Sequence, residues 1–587
     1  MTERIPIRVH IGLALAAIWP MLLSPTQQMI GHTDADVWNH AWGPWWFWES
    51  FSSLQLPWHT EWLNAPTGGT LWFIDPIGGL IGMLPAGLLG PYAAYNLVVL
   101  VYLTTTSWAA SRLAERIAGP GLHCLVASLA LIFGPYLLSE VHNGISEACN
   151  LAPAILALTA AHDAMHQGRK KDWAALGALL GLTALGSFYY LLGTALVLTV
   201  WGLFWLLGRP SLKQIQHACL AGILSALCIL PIAWWMRASV NAEVPLVFRQ
   251  AGASDLLTLH NAVDPRTYFW PGGFQSVDLA AQGEAFLHSG YLGFSILFLV
   301  AIAWKRAPRW PWIAATVLLI TLGLGSRLYW GDGWVTLSGG QTLALPYALL
   351  QELLPSQAIT HSLRIAMPAI ALLAATAAVG LKGRSRATTL WILFLVPVEM
   401  IVIGGSPWPP ARTEVLDTTL ADHIREQQED GIVMDLPGAV GNTMATSRYF
   451  LFQTHTRKPV PYRPDARAMT SDLNGDPIFG LLALASETRS NHRPALIQRA
   501  EQRQLLRPAS LWDRGVRWIV VHRDLERGQE GTQVSESILT ELYGPPEVFG
   551  SKALYTTAPS STQRAPDEAW ISELIQASDS NRSPAAP

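Results

Sequence analysis

Charge is scarce in this chain. Only 14% of its 587 residues are Asp, Glu, Lys or Arg, against roughly 25% in an ordinary soluble protein. The little charge present is balanced, 39 basic against 42 acidic side chains for a net of −3. No basic surface is on offer to a nucleic acid, and a long disordered chain, which needs low hydrophobicity and high net charge, is excluded. Cysteine is scarce too: Cys124, Cys149, Cys219 and Cys228 all sit in apolar stretches. The polar C-terminal third therefore has neither a disulfide framework nor a zinc ribbon. There is no Walker A loop, no G-x-G-x-x-G after a strand, no H-E-x-x-H and no G-x-S-x-G, which leaves ATP-driven transport and common soluble hydrolase chemistry unsupported. No fixed-period repeat is visible.

What is abundant is apolar surface. Half of the residues are hydrophobic and the mean hydropathy is +0.27, too much for one water-soluble core. The expected fold class is a polytopic α-helical membrane protein with about eleven crossings, since each needs roughly 20 apolar residues. The candidates are 9–29, 93–113, 121–139, 147–166, 173–187, 188–207, 214–236, 290–304, 310–325, 363–381 and 388–405. The first follows Arg4 and Arg8, lacks a small-residue cleavage site, and reads as a retained anchor. With the N-terminus cytoplasmic, alternate loops carry the basic residues: Arg112 and Arg116; Arg169, Lys170 and Lys171; Arg209 and Lys213; Lys305, Arg306 and Arg309; Lys382, Arg384 and Arg386. That alternation follows the positive-inside rule. Segment 71–90 is apolar but broken by Pro76 and Pro85. It reads as re-entrant or interfacial, because a full crossing would invert the charge pattern behind it.

These spans imply a membrane domain over 1–405, with outer loops 31–92, 237–289 and 326–362, and an extracytoplasmic tail. After Pro407, Pro409 and Pro410, residues 414–429 read as an amphipathic helix. Gly431-Ile432-Val433-Met434-Asp435-Leu436-Pro437, the run Val516 to Val521, and Ala553-Leu554-Tyr555 read as strands. A small α/β domain over 406–570 is expected, then a disordered tail over 571–587.

The densest polar constellation is the first outer loop, which holds His32, Asp34, Asp36, Trp38, Asn39 and His40. Two carboxylates two residues apart can hold a divalent cation, Mg2+ or Mn2+, through oxygen. Alternatively one can take a proton from an acceptor hydroxyl, or simply cap the following helix. Trp38, Trp42, Trp45, Trp46 and Trp48 read as an interfacial aromatic helix able to stack a sugar or hold a lipid. In the second outer loop His142 and Asn143 can hydrogen-bond a phosphate or sugar. Glu147, just inside a membrane helix, is costly unless paired or wet. Arg364, at the outer start of the 363–381 span, has the guanidinium geometry that suits a lipid phosphate. His260, Asp264, Arg266 and His288 are weaker candidates, and residues 453–459 read as a solvated polar loop.

This arrangement resembles the GT-C superfamily of integral-membrane glycosyltransferases, in particular its bacterial members with a C-terminal periplasmic domain. The likeness is carried by Asp36-Val37-Trp38-Asn39 with Trp45-Trp46, and by Gly134-Pro135-Tyr136-Leu137-Leu138 with His142, Asn143, Gly144 and Glu147. Val433 to Pro437 and Gly515 to Val521 add to it, and Ser362 to Met367 match in part. The resemblance implies a polyprenyl-phosphate-linked sugar donor and a glycan, lipid or protein acceptor, in the cytoplasmic membrane of a bacterium. It implies that Asp36, or Asp34 beside it, is the catalytic carboxylate. His142, Asn143, Glu147, Trp38 and His40 would line the cavity, and Arg364 would face the donor phosphate. A non-catalytic scaffold of the same fold and a lipid or solute transporter are the competing readings.

Overall fold

A computed structural model describes residues 4–71, 75–242, 246, 258–259, 261–270, 286–304, 310–331, 333–354, 359–437, 443–463, 473, 476–485, 509–524 and 529–559. His260 and the tail 571–587 lie outside them. The chain divides into two compact units, one of residues 1–48, 73–235 and 249–415, the other of 49–72, 236–248 and 416–587.

The first unit is helical. Among the described residues five helices are long and apolar enough to cross a membrane: Pro91–Ala118, Phe188–Leu207, Leu212–Val240, Ser362–Leu381 and Arg386–Ile403. Shorter apolar helices are Ile7–Ala17, Pro76–Leu89, Phe294–Ala303 and Trp310–Gly323. The 121–139 stretch, expected as one crossing, is instead bent by 42° between Leu122–Ile132 and Pro135–His142. Gly134 there is extended and Pro135 opens the second helix, because proline has no N–H to continue the ladder. Segment 71–90 holds the 14-residue helix Pro76–Leu89, capped by the Asp75 side chain on Gly78 N–H.

Small residues decide which helices lie inside. Ser362–Leu381 is rich in alanine, and 89% of its apolar window is buried, against 17% for Leu212–Val240. Gly193 lies against the Ile365 carbonyl and Gly380 against the Leu299 backbone, with no space for a Cβ at either. Close backbone approach of this kind is how helices pack where lipid removes the hydrophobic drive. The aromatic run 38–48 is also interior: Trp38, Trp42, Trp45 and Trp46 are buried. It is a packing element of this unit, where the sequence suggested an interfacial belt.

The stretch after the last long helix does not run free. Arg412–Glu414 pairs antiparallel with Gln28–Ile30, Gly31 N–H donates to the Ala411 carbonyl, and Thr413 Oγ1 donates to the Gly31 carbonyl. This two-stranded ribbon anchors the first polar loop.

In the second unit, Ile432–Leu436 runs parallel to Val516–His522. Lys552–Thr556 adds antiparallel on the other side, with Glu547–Phe549 at the edge. Leu420, Ala421 and Ile424 of the helix Thr419–Glu426 pack with Phe452, Val433, Trp518, Val520 and Leu554 into one core. That helix is shorter than the 414–429 stretch in the sequence, since 412–414 is taken up as a strand. Residues 453–456, expected in a loop, are the last turn of the helix Thr443–Thr456. Gln453 there is buried and donates to the carbonyls of Trp62 and Lys458.

Candidate functional site

The first and second polar loops are stitched together by backbone. His32 N–H donates to the His142 carbonyl (2.6 Å) and Asp36 N–H to the Asn143 carbonyl (3.0 Å). The His32 and His142 rings lie 5.1 Å apart. Asn143 is buried, and its side chain donates to the Leu287 carbonyl and accepts from Leu287 N–H, both at 2.8 Å. Two glycines make the approach feasible. Gly144, at φ +74°, sits against the Val37 backbone, and Gly31, at φ +131°, sits against Gly144 Cα. A side chain at either would be strained, tight against its neighbours at Gly31 and in collision with Val37 at Gly144.

Asp36 immediately precedes the helix Val37–Ser52 and is half-buried, while Asp34 is exposed. Trp38 is buried and its indole N–H donates to the Thr33 carbonyl at 2.7 Å, so it braces the loop from within.

Around Glu147 the sequence-derived candidates converge. Glu147 lies in the short turn Ser146–Cys149 and is buried. Arg364 Nη1 donates to Glu147 Oε1 at 3.2 Å and Nη2 to Glu140 Oε2 at 3.3 Å. His40 Nδ1 is 3.3 Å from Glu147 Oε2 and 3.2 Å from Ser146 Oγ. The Arg364 guanidinium lies over the Tyr189 ring at 5.6 Å, and its Nε has no partner among the described residues. A buried guanidinium between two carboxylates is stable only because it is paired. Removing one partner of such a pair costs about 3–5 kcal/mol.

Sequence reasoning missed three members of this cluster. Glu140 sits in the helix Pro135–His142, on the side that faces Arg364. Ser146 donates to Asp75 Oδ2 at 2.8 Å. Asp75 also accepts from Tyr102 O–H (2.7 Å) and Gly78 N–H (2.9 Å). The signal for Asp75 was present: a lone carboxylate in a long apolar run is a functional hint by itself. A continuous polar path thus runs Asp75–Ser146–His40–Glu147–Arg364–Glu140, with three carboxylates and one guanidinium.

Asp264 is elsewhere in this unit. It is buried, bound by Arg266 and by Gly331 N–H, as a structural brace would be. For a divalent cation, Asp34 and Asp36 supply two carboxylates. Among the described residues no three His, Cys, Asp or Glu side chains gather as a ligand set, so an ion held by these two would take its remaining ligands from water and substrate oxygens, as Mg2+ does.

No protein-family model matches the chain, and no characterised protein matches it by sequence. Its structure is similar to that of the arabinofuranosyltransferase AftD from Mycobacteria, with a TM-score of 0.54 and 15% identity over 96% of this chain and 40% of that one. This chain therefore spans well under half of AftD. Two further similar structures are ArnT from Cupriavidus metallidurans bound to undecaprenyl phosphate (TM-score 0.48, 12% identity, 96% and 99% of the two chains) and the oligosaccharyltransferase AglB from Archaeoglobus fulgidus (0.47, 10%, 94% and 74%).

Proposed function

We propose that this multi-pass membrane chain, whose fold is that of the GT-C glycosyltransferases, transfers a sugar from a polyprenyl-phosphate donor to an acceptor hydroxyl. The reaction takes place at the outer face of a bacterial cytoplasmic membrane, with the N-terminus cytoplasmic and the C-terminal unit outside. The observation that carries this reading is the junction of the Asp36 loop with the His142–Asn143 turn, beside the buried Arg364–Glu147–Glu140 cluster. AftD's own sugar and acceptor stay with AftD.

In the proposed step the acceptor O–H gives its proton to the Asp36 carboxylate as its oxygen attacks the anomeric carbon. The bond from that carbon to the phosphate oxygen breaks, and the polyprenyl phosphate leaves with the electron pair. Charge grows on the phosphate, where a preorganised cation is worth most. Arg364 is that cation. A phosphate approaching it competes with Glu140 and Glu147 for the guanidinium, and Nε is the donor left over. His40 and His142 border the same region and bind the polar parts of donor and acceptor, while Asn143, expected among them, is spent on the Leu287 backbone and braces the turn, and Trp38 holds the loop. Asp34, exposed beside Asp36, is the second candidate base.

The test is sugar transfer in membranes supplied with lipid-linked donors, wild type beside Asp36→Asn and the double variant with Asp34→Asn. We expect a loss of at least 100-fold, the scale of general-base catalysis at about 10²–10⁴, with expression and insertion unchanged. Undiminished transfer by the double variant overturns the assignment and favours a scaffold. Repeating the assay with Mg2+, Mn2+ and a chelator decides whether the two aspartates hold an ion.

A further inference from the structure

We propose that His162 and His166 form a two-imidazole site for a borderline divalent transition-metal ion, Zn2+, Ni2+ or Cu2+, on the helix Ala152–Gln167. The two residues are one turn apart, at i and i+4, so both rings leave the same helix face. Their centroids are 4.2 Å apart with the rings 27° from parallel. Two ligand nitrogens at about 2.0–2.1 Å from one metal lie roughly 3 Å apart, within a small swing of these rings.

The hydrogen bonds prepare the outward nitrogens. His166 Nδ1 meets the His162 carbonyl at 2.8 Å. A carbonyl only accepts, so Nδ1 carries the proton and Nε2 holds the lone pair. Anchoring one ring N–H on a backbone carbonyl is the arrangement seen behind metal-bound histidines. His162 Nδ1 has no hydrogen-bond partner among the described residues and lies 3.7 Å from Asp163 Oδ1. With the proton on that nitrogen, Nε2 is the ligand. Asp163 is itself held by Arg116 at 3.1 Å and Gln167 at 3.4 Å, so its charge is fixed where it offsets that of a bound ion. His166 is exposed and His162 half-buried, which leaves the outer coordination positions to water. Imidazole nitrogen selects these ions over Mg2+ and Ca2+, which take oxygen.

The pair lies ~15–21 Å along the helix from Ala152, and Glu147 is on the Ala152 side. The site is therefore independent of the glycosyl-transfer reading. A bound ion would staple the last turns of the helix before Gly168.

The test is a Cu2+ titration of metal-stripped, detergent-purified full-length protein, read by electron paramagnetic resonance with echo-envelope modulation to count imidazoles. We expect one equivalent bound through two imidazoles, displaced by a large excess of Zn2+ but not by the same excess of Mg2+. His166→Ala should weaken it at least tenfold, about 1.4 kcal/mol, and leave at most one imidazole, with the melting temperature of the metal-free protein unchanged. His162→Gln should do the same. Equal affinity and imidazole count in wild type and both variants would overturn the site, whatever the fate of glycosyl transfer.

Discussion

Asp435 and His522 show how one buried pair ties residue chemistry to pH. They meet at 2.7 Å at the carboxyl ends of the two parallel strands. Burial pushes the Asp435 carboxyl above the ordinary aspartate value, while the hydrogen bond and charge of His522, and the charge of Lys552, pull it the other way. A carboxyl raised on folding favours the protonated form in the folded state. Its contribution is greatest below the unfolded value near 4 and is lost as pH rises through the folded value. Asp435→Asn keeps an acceptor for His522 and removes the buried charge. It should flatten the fall of melting temperature with rising pH without destabilising at neutrality. Asp435→Ala strands the imidazole and should cost about 1–3 kcal/mol. Thermal unfolding of the full chain across pH checks both; equal melting curves for the two variants would remove the pair's role. At the buried polar cluster the sequence pointed to Glu147 and Arg364 separately. That they bind each other, and that Glu140 and Asp75 complete the path, depends on residues 217 and 71 positions apart in the chain. No local pattern encodes such pairings.

At the scale of elements, the loop carrying Asp36 is held by its neighbour loop rather than by its own sequence. Gly144 is the hinge of that junction, with a positive φ and the Val37 backbone where its Cβ would be. Gly144→Ala should cost about 1–3 kcal/mol in backbone strain and reduce transfer at least tenfold by moving Asp36. Gly12→Ala, in open space on the helix Ile7–Ala17, should leave transfer unchanged. Parallel assays and melting curves on the two variants provide the check, and equal activity would sink the junction's role. The apolar runs at 432–436 and 516–522 are strands, as their β-branched content suggests. The break at Gly134-Pro135 was equally readable, yet the hydropathy of 121–139 hid it.

At the scale of the molecule, exposed leucines are the telling feature. Leu227 and Leu230 are more than 60% exposed on the helix Leu212–Val240. On a water-soluble protein Leu227→Asp would be neutral or better. At the centre of a lipid-facing helix an aspartate costs about 2.5–3.5 kcal/mol. We expect Leu227→Asp to lower the membrane-integrated yield several-fold, measured by carbonate extraction and blotting. Unchanged integration would place that face away from lipid.

Composition alone determined that this is a membrane protein, because apolar surface in such excess can be hidden only in lipid. Residue type and spacing marked Asp36 as one of two close carboxylates, His142 as a hydrogen-bonding group in a polar loop, Glu147 as a charge inside an apolar helix and Arg364 as a guanidinium suited to phosphate. Which of them meet was decided only by the tertiary structure. The glycines that let two loops touch, the alanines that seat Ser362–Leu381 inside, and the carboxylates that flank Arg364 act through contacts between distant segments. Those contacts exist only once the helices have packed.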